Sequence, residues 1–419
     1  MQRRQGRVRD YAWGSKTAIP QLFGLPAAEV PVAELWLGAH PGAPTRIGVP
    51  RQSLAIDPAD LSASSGSQTV VGNGRSLADY VAEDPERVLG ADVVARHGSE
   101  LPFLLKLIAP DQPLSLQVHP SKKQAAEGFA RDEAAGVPIE SPERNYKDLN
   151  HKPELLYALT PFRALAGFRS PRRILGVLGG LDTELTHRLI AQISARPTAE
   201  GVRAAFAELL AKDSRPTAQE VDDVVAACER RDPAVSPSAR ADAIVLKLAE
   251  FYPGDPGVVA SLLLNPVSLQ PGEALFTPVG TVHAYLSGTG VEIMANSDNV
   301  LRAGLTQKHI DVEELLAVVD TVAAPPIRIA PEHITDVQGT FYVPVDDFEL
   351  SVITLRNANK VHRVHGFGPR IFLCLEGAVQ VQAGGRRCFL NAGQSTFADA
   401  ADGPATVRGA GRLIQANVP

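Results

Sequence analysis

The feature that most constrains the fold is a block of helical periodicity between residues 170 and 250, with strand-like sequence on both sides. Five segments in this block repeat apolar residues at helical spacing, and several begin with a Ser or Thr in capping position. The segments are SPRRILGVLGG, LDTELTHRLIAQIS, TAEGVRAAFAELLAK, TAQEVDDVVAACERR and SARADAIVLKLAEFY. The flanking sequence consists of short apolar runs separated by Gly and Pro turns. The chain is therefore predicted to be mainly β with an α-helical insert.

A chain of 419 residues exceeds the size of one ordinary domain, so several units are expected. We assign residues 1–165 and 255–325 to one β unit, 166–254 to the helical insert, and 326–419 to a second β unit. The stretch RIFLCLEGAVQVQAGGRRCFLNAGQSTFADA in this last unit indicates a meander of antiparallel strands. Strands are expected to resume at residue 258, immediately after the insert.

Two helices are predicted before the insert and one after it. SLADYVAEDPERVLG should form a short helix capped by Ser76, and SKKQAAEGFARDEA a helix capped by Ser121. TQKHIDVEELLAVVD should form the third. These helices lie between strand candidates such as PVAELWLGAH and LPFLLKLIAP, so they do not change the predicted fold class.

Charge and cysteine usage narrow the possible partners and compartment. The net charge of −6 does not indicate a surface that binds nucleic acid or anionic lipid. The sequence contains no run of 18 apolar residues, so no membrane-spanning helix is predicted. The basic start MQRRQGRVRDYAWGS lacks the apolar region of a secretory signal. The widely spaced Cys228, Cys374 and Cys388 suit a reducing cytosol. A cytoplasmic protein without nucleic-acid or membrane partners is expected.

The stretch LSLQVHP, residues 114–120, places polar side chains on one face of a predicted strand. Alternate residues of a strand point the same way, so Gln117 and His119 share a face with Ser115, and Pro120 ends the strand. A buried strand face normally carries apolar residues. This face therefore contacts either water or a polar site.

Two further segments carry possible metal ligands. LQPGEALFTPVGTVHAYL fits G-x5-P-x-G-x2-H from Gly272 to His283 and resembles the second metal motif of the cupin double-stranded β-helix. A buried core histidine is the alternative reading of His283. In NHKPELLYAL, Glu154 opens an apolar strand, where a carboxylate is costly unless it is paired or bound to metal. A solvated strand end is the alternative there.

Together these segments offer an amide, two imidazoles and a carboxylate from Gln117, His119, His283 and Glu154. Such donors suit Zn²⁺, with Mn²⁺ or Fe²⁺ as alternatives. A metal held this way, with one position open, can polarise a substrate oxygen.

The combination of AELWLGAHPGAP, FLLKLIAPDQPLSLQVHP, HKPELLYAL and GTVHAYLSGTGVEIMANSDNVLRAGLT resembles the type I phosphomannose isomerases, also called mannose-6-phosphate isomerases. The resemblance spans most of residues 8–315. It implies a metal-binding cupin barrel. It also implies one zinc per chain on Gln117, His119, Glu154 and His283. The C-terminal β unit lacks a complete Q-x-H or G-x5-P-x-G-x2-H pattern, so we predict a β-barrel-like, cupin-like domain without metal there.

The implied reaction is aldose–ketose isomerisation of a small sugar phosphate. Mannose 6-phosphate and fructose 6-phosphate would interconvert through a cis-enediol, feeding mannose catabolism or mannose activation toward GDP-mannose. A monomer or weak homo-oligomer is expected.

The resemblance also implies roles for charged residues. The family's catalytic arginine corresponds to Arg302, which we expect on a loop, and Lys152 and Glu292 are candidates for proton transfer. Four further residues are expected to bind substrate, and four others to form the wall or outer shell of the site. The first set is Lys308, Tyr285, Lys106 and Ser115, and the second is Trp13, Glu34, Trp36 and His40. Gln307 stands where the family pattern has proline.

Two rival functions remain open. Two histidines and a carboxylate also suit a non-haem Fe(II) cupin dioxygenase, and a cupin can bind a sugar phosphate without catalysis. A second metal site at His362 and His365 is a further possibility, whereas His97, His187 and His333 lack partners at ligand spacing. The helical insert is expected to supply no metal ligand.

Overall fold

The computed structural model describes residues 1–50, 53–56, 61–62 and 75–419. Its strands, in chain order, are β1 Gln2–Gln5, β2 Arg7–Arg9, β3 Glu34–Gly38, β4 Arg46–Ile47, β5 Arg75–Ser76, β6 Phe103–Ile108, β7 Leu116–Val118, β8 Glu154–Ala158, β9 Phe162–Phe168, β10 Leu264–Leu269, β11 Ala274–Thr277, β12 His283–Ser287, β13 Gly290–Ala295, β14 Leu301–Gly304, β15 Ile327–Ile329, β16 Glu332–His333, β17 Gln338–Phe341, β18 Glu349–Leu355, β19 His362–Val364, β20 Phe367–Ala383, β21 Arg386–Asn391, β22 Ser395–Ala398 and β23 Ala405–Val418.

The α-helices are α1 Ala18–Leu22, α2 Leu77–Glu83, α3 Pro85–Leu89, α4 Ala91–His97, α5 Lys122–Ala134, α6 Pro171–Leu178, α7 Glu184–Ala195, α8 Ala199–Leu210, α9 Ala218–Arg230, α10 Ala239–Phe251, α11 Pro256–Ala260 and α12 Val312–Val318. Strands and helices thus occur in the order expected for a mainly β chain with a helical insert. Within the described residues, no helix has the length and apolar character needed to cross a membrane.

Two antiparallel sheets carry the polar strand residues noted in the sequence. One has the strand order β15-β11-β8-β13-β6-β3-β2, and the other has the order β10-β9-β12-β7-β14. Strands β6 and β13 are buried along their whole length, although Lys106 and Glu292 stand opposite each other in their register. A Lys–Glu pair inside two apolar strands indicates a polar site at that place in the sheet.

The helical block packs against the five-stranded sheet. Leu189, Phe206 and Val245 of the block belong to the same hydrophobic core as Val118 of β7 and Leu165 of β9. The five segments with helical periodicity form α6 to α10, as predicted. Because their apolar faces cover the sheet, the block is joined directly to the strands that carry the candidate metal ligands.

Capping explains where several helices begin. Ser121 and Thr217 form complete capping boxes at the starts of α5 and α9, and Ser76 accepts two backbone N–H groups at the start of α2. Thr198 occupies the cap position of α8 without a side-chain hydrogen bond. The helix predicted from Ser76 ends early, because Asp84 caps a second helix that has Pro85 at its first position.

The expected return to strand at residue 258 is wrong. Helix α11 starts at Pro256, capped by the Asp255 carboxylate, and a 3₁₀ turn over Ser261–Leu263 follows before β10 begins at Leu264. An apolar run fits a buried helix or a buried strand equally well by periodicity. The Asp–Pro pair in front of it is the local signal that favours a helix start.

The third sheet contains most of the C-terminal strands, in the order β16-β17-β18-β23-β20-β22-β1-β4-β5, with β19 and β21 pairing to β23 and β20. Three of its strands come from the first 76 residues, and Gln2 pairs with Phe397. Hydrogen bonding therefore crosses between residues 1–165 and 326–419. The domain limits drawn from sequence stay a prediction.

Candidate metal centre and active site

The candidate ligands converge from both sheets of the first unit. In the five-stranded sheet, Gln117 of β7 stands directly opposite His283 of β12, and His119 follows the end of β7. Glu154 begins β8 of the seven-stranded sheet. The polar face of LSLQVHP therefore faces a buried site, since His119, Glu154 and His283 are all nearly inaccessible to solvent.

The donor atoms of these residues form a tight cluster. His119 Nε2 lies 3.2 Å from Glu154 Oε1, and His283 Nε2 lies 3.2 Å from Glu154 Oε2. Ligand atoms of the three residues all lie within 4.8 Å of one another. The Gln117 amide nitrogen lies 3.3 Å from His283 Nε2, and a half-turn of that amide presents its oxygen instead. A fourth donor therefore adjoins the three-residue group.

The hydrogen bonds behind the imidazoles indicate that a cation fits this cluster. His119 and His283 donate their Nδ1–H groups to the Asn299 and Thr281 carbonyls, over 2.8 and 2.9 Å. Each Nε2 then carries a lone pair that faces a Glu154 oxygen. Electron-rich atoms at this separation repel, and His119 Nε2 has no hydrogen-bond partner within the described residues. A bound metal ion resolves both problems, and the carbonyl contacts are typical of outer-shell support.

The electrostatics keep the donors in their metal-binding forms. Burial, with a smaller effect from Lys152, lowers the pKa of His119 to about 4. Burial raises the pKa of Glu154, but Lys152 and His119 outweigh this and hold it well below its usual value. Neutral imidazole and ionised carboxylate are the forms that bind Zn²⁺.

A cavity of about 490 Å³ adjoins the cluster. It is lined by Gln117, Glu154, Arg302, Lys152, Glu292, Lys308, Tyr285, Lys106 and Ser115. The structure thus brings every predicted catalytic and substrate-binding residue to one cavity. His119 and His283 lie behind this lining, which suits ligands that hold a metal at the cavity wall.

Of the expected wall and outer-shell residues, Trp13, Glu34 and Trp36 line the cavity and His40 lies behind it. His40 Nε2 is 3.4 Å from Asp298 Oδ1, and its ring meets the edge of Trp36. Burial raises the pKa of Asp298, but the His40 contact outweighs it and holds the pKa well below the ordinary value. A charged Asp298 therefore faces the cavity.

Sequence reasoning missed several lining residues, including Arg9, Tyr11, Lys147, Asp298 and Tyr252. Arg9 and Tyr11 occupy alternate positions of the extended stretch RVRDY, so the sequence indicated that they share a face. Asp298 lies in MANSDNV, within a segment that carries the family resemblance. Tyr252 is the C-cap residue that follows helix α10, and it reaches the cavity because the helical block packs on the sheet. The block thus supplies a wall residue but no member of the three-ligand group.

One end of the cavity holds alternating charges beside the metal cluster. Lys106 Nζ lies 3.2 Å from Glu292 Oε2 and 3.9 Å from Glu34 Oε1, and Lys152 Nζ lies 3.4 Å from Glu154 Oε1. Burial raises the pKa of Glu292, while Lys106 opposes the shift. Burial also raises the pKa of Tyr285 well above its usual value. This end thus places a proton-accepting carboxylate near neutral hydroxyl and cationic donors.

A second group of lining charges, which we call the cationic end of the cavity, consists of Lys308, Lys147 and Arg302. Burial, then repulsion from Arg302 and Lys147, lowers the pKa of Lys308. Burial likewise lowers the pKa of Arg302. A lysine that two neighbouring cations repel, beside a cavity, forms a natural site for a dianion such as a phosphate monoester.

Arg302 lies in strand β14, so the loop expected from sequence is wrong. Strand β14 pairs with β7, with Leu301 opposite Val118 and Arg302 opposite Gln117, and the pairing becomes irregular before Gly304. Opposed residues of antiparallel strands project to the same face. The strand therefore places the guanidinium beside a candidate metal ligand, which a mobile loop would not do reliably.

The alternative metal site at His362 and His365 finds no support in the part of the chain that the structure describes. His362 lies in β19, where its Nδ1 is 3.5 Å from the exposed Asp336. Within the described residues, only His119, Glu154 and His283 form a group of three ligands.

Comparison with known proteins relates both ends of the chain to one family. Residues 1–171 match the family model for the phosphomannose isomerase type I catalytic domain, and residues 338–418 match that for the mannose-6-phosphate isomerase cupin domain. Mannose-6-phosphate isomerase of Escherichia coli K12 is 39% identical, over 99% of this chain and 99% of its own length.

Solved structures agree over the whole chain. A lysine-to-alanine variant of Salmonella typhimurium phosphomannose isomerase superposes with a TM-score of 0.87 at 38% identity, covering 100% of this chain and 99% of that one. A mannose 6-phosphate isomerase bound with zinc and yttrium superposes with a TM-score of 0.84 at 37% identity and the same coverage.

Proposed function

The chain belongs to the type I phosphomannose isomerase family, and from this membership we propose how its residues carry out the reaction. The protein is an isomerase that interconverts mannose 6-phosphate and fructose 6-phosphate. We assign roles to its residues mainly from one observation: two imidazoles and one carboxylate cluster beside a cavity with a cationic end.

Zn²⁺ is the cofactor, and we assign its ligands to Gln117, His119, Glu154 and His283. When bound, it supplies positive charge that polarises a substrate oxygen. We further propose that the five- and seven-stranded sheets form a cupin barrel around it. This arrangement would account for ligands that come from both sheets.

The cationic end of the cavity binds the substrate phosphate in this proposal. Arg302 and Lys147 are close enough to Lys308 to lower its pKa, and a phosphate dianion bound there removes that repulsion. Binding energy gained at the phosphate then holds C1 and C2 of the open-chain sugar beside the metal cluster. Arg302, which stands beside Gln117, also stabilises negative charge that develops on the enediol oxygens.

Glu292 and Lys152 are the proposed proton-transfer groups. A general base removes the C2 proton of mannose 6-phosphate and delivers it to C1, while the O2 hydroxyl proton passes to O1 as the carbonyl moves from C1 to C2, so no proton is gained or lost overall. The buried Glu292 carboxylate suits this role because burial raises its pKa toward neutrality. Lys106 and Ser115 would hold substrate oxygens, and the neutral Tyr285 hydroxyl would donate to another.

Several finer assignments complete the proposal. Residues 326–419 form a cupin domain without metal, the protein is cytoplasmic, and it is a monomer or weak homo-oligomer. The reaction feeds mannose activation toward GDP-mannose, or mannose catabolism. A dioxygenase or a non-catalytic sugar-phosphate binder is disfavoured, because the relatives are isomerases.

A coupled assay tests the reaction directly. Fructose 6-phosphate formed from mannose 6-phosphate should be detected, should disappear after chelation, and should return when Zn²⁺ is added. In deuterated water, deuterium should enter C1 of the product whenever the proton held by the general base exchanges with solvent before it is delivered. Sugar-phosphate binding without turnover in the zinc-loaded protein would support the non-catalytic alternative, and substrate-dependent oxygen consumption would support the dioxygenase.

A further inference from the structure

Asp255 joins the helical block to the turn that follows β14. Its Oδ1 accepts hydrogen bonds from the Gly257 N–H at 2.7 Å and the Leu305 N–H at 3.0 Å. Its Oδ2 accepts one from the Thr306 N–H at 3.4 Å. One carboxylate thus caps α11 and also holds two successive amides of a turn that lies 50 positions further along the chain.

The turn is held in a conformation that its sequence does not favour. Leu305 has φ of 53°, and it is one of only two non-glycine residues with positive φ in the described part of the chain. Gly304 has φ of 128°, and a Cβ there would lie 2.8 Å from the Gly257 Cα. Such a backbone persists only where its surroundings fix it. The Asp255 hydrogen bonds and the close approach of α11 provide that restraint.

The same turn forms part of the cavity wall. Leu305, Thr306, Gln307 and Lys308 all line it, and the Lys308 N–H donates to Thr306 Oγ1 at 3.1 Å. A continuous series of hydrogen bonds therefore runs from Asp255 through Thr306 to the backbone of Lys308.

From these contacts we infer that Asp255 is a positioning residue for the phosphate end of the substrate. It holds the turn so that Lys308 points into the cavity, without itself touching the substrate. The inference rests on the proposed assignment of Lys308 to phosphate binding. Arg302 is held separately by the pairing of β14 with β7, so loss of Asp255 should affect substrate binding more than the chemical step.

Two substitutions separate helix capping from the restraint on the turn. Asp255→Ser keeps a good cap residue for α11, but its single short hydroxyl does not reach Gly257, Leu305 and Thr306 together. Asp255→Asn keeps an oxygen at Oδ1 for Gly257 and Leu305. We expect Asp255→Ser to raise KM for mannose 6-phosphate and Ki for inorganic phosphate by about tenfold, with a smaller fall in kcat. Asp255→Asn should stay within about twofold of wild type.

Asp84→Ala is the matched control, because Asp84 caps α3 at an exposed site and lies outside the cavity lining. It should leave KM and phosphate Ki unchanged. Hydrogen exchange of the Leu305 and Thr306 amides, which should accelerate in Asp255→Ser, gives a readout that does not depend on activity.

The outcomes distinguish the inference from the proposed function. Unchanged KM, phosphate Ki and amide exchange in Asp255→Ser, beside an active wild type, would overturn the positioning role alone. A lower melting temperature with unchanged KM would assign Asp255 to helix capping only. An inactive zinc-loaded wild type would instead overturn the proposed function. If Asp255→Ser does not fold, Asp255→Asn provides the test. Fast hydrogen exchange of the Leu305 and Thr306 amides in that variant, together with an unaltered KM, would contradict the inference.

Discussion

At the scale of single residues, the candidate metal centre depends on which atom of each side chain faces inward. Residue type and spacing indicated the candidate donors, because alternation along a strand places Gln117 and His119 on one face. The carbonyls of Asn299 and Thr281, which set the imidazole tautomers, come from backbone that has no sequence signature. Such contacts become visible only when the fold brings distant segments together.

His119→Ala and His283→Ala should each lose zinc and activity together. Removing one imidazole leaves the cluster with one of its two nitrogen donors, and the remaining donors bind zinc weakly. Metal analysis should show less than about one tenth of the wild-type zinc content after dialysis, with activity reduced in proportion. Circular dichroism should keep the signal of the helical block.

His187→Ala is the control for these variants, since His187 lies exposed on α7 beside Asp182. It should keep both zinc and activity. Full metal occupancy in both ligand variants would show that the ligand assignment is wrong.

Arg302→Ala should lower kcat by roughly 10²–10³-fold, the loss seen when one group that stabilises transition-state charge is removed. Arg302→Lys should recover only part of the rate, because an ammonium lacks the planar fork of guanidinium. Steady-state kinetics with mannose 6-phosphate measures both effects, and zinc content should stay unchanged. Arg328→Ala, at an exposed arginine paired with Glu273, should behave like wild type.

A near-normal kcat with a raised KM in Arg302→Ala would make Arg302 a binding group that does not favour the transition state. The catalytic role would then pass to Lys152 or Glu292.

Lys106→Met should destabilise the protein by about 3–5 kcal/mol, since it leaves Glu34 and Glu292 buried without their shared cation. Urea unfolding at constant zinc measures the change, and Lys247→Met, at an exposed Lys–Glu pair, should alter stability by less than about 0.5 kcal/mol.

The pH dependence gives a second test of Lys106→Met. Burial already raises the pKa of Glu292, and loss of Lys106 should raise it further. At pH values above ~4.3, the unfolded-state pKa of a glutamate, the folded variant then binds more protons than the unfolded variant. Its free energy of unfolding therefore falls as pH rises from that value through the folded-state pKa of Glu292. The deficit relative to wild type should therefore be smaller at pH 5 than at pH 8. An equal deficit at both pH values would argue against a charged Glu292 as its cause.

At the scale of helices and strands, the sequence predicted an element well where two independent local signals for it agreed. Periodicity and a complete cap coincide at α9, which begins as expected after Thr217. At residues 256–263 the apolar run carried no periodicity that favoured one state, and the helix there was missed. Strand β14 was missed for a related reason, because its pairing with β7 is a long-range interaction.

Thr217→Ala should cost about 1 kcal/mol of helix stability, because it removes the hydroxyl that accepts the Glu220 N–H in the capping box. Thr198→Ala at the start of α8 is the matched substitution, where the threonine makes no capping hydrogen bond. It should cost less than about 0.5 kcal/mol. Guanidinium unfolding followed by circular dichroism should rank Thr217→Ala below Thr198→Ala, and the reverse order would contradict the capping argument.

At the scale of the whole molecule, sequence order and sheet order differ. The sequence separates an N-terminal β region from a C-terminal one, yet β1 lies between β4 and β22 in the third sheet. Alternation within a strand reports which face is buried, and it carries no information about the partner strand. The existence of β-rich regions was therefore predictable, whereas the exchange of strands between them was not.

Deleting residues 2–5 should destabilise the third sheet and leave the metal centre intact. The deletion removes β1, so β22 and β4 each lose a neighbour and the β22 edge is exposed. Calorimetry should show a melting temperature several degrees lower, and light scattering should show aggregation on heating. Zinc content of the soluble fraction should remain near one per chain, because no candidate ligand lies in the third sheet. An unaltered melting temperature would show that β1 contributes little.

The position of β1 also sets the order in which the nascent chain is able to fold. The Gln2 carbonyl accepts a hydrogen bond from the Thr396 hydroxyl, 394 positions later in the chain. At translation rates of about 5–20 residues per second, the ribosome needs roughly 20–80 s to make this partner. All the candidate zinc ligands emerge well before that time, while the edge of β1 that pairs with β22 is still without its partner. The metal unit can therefore assemble during synthesis, whereas the third sheet closes only when its last strands leave the ribosome.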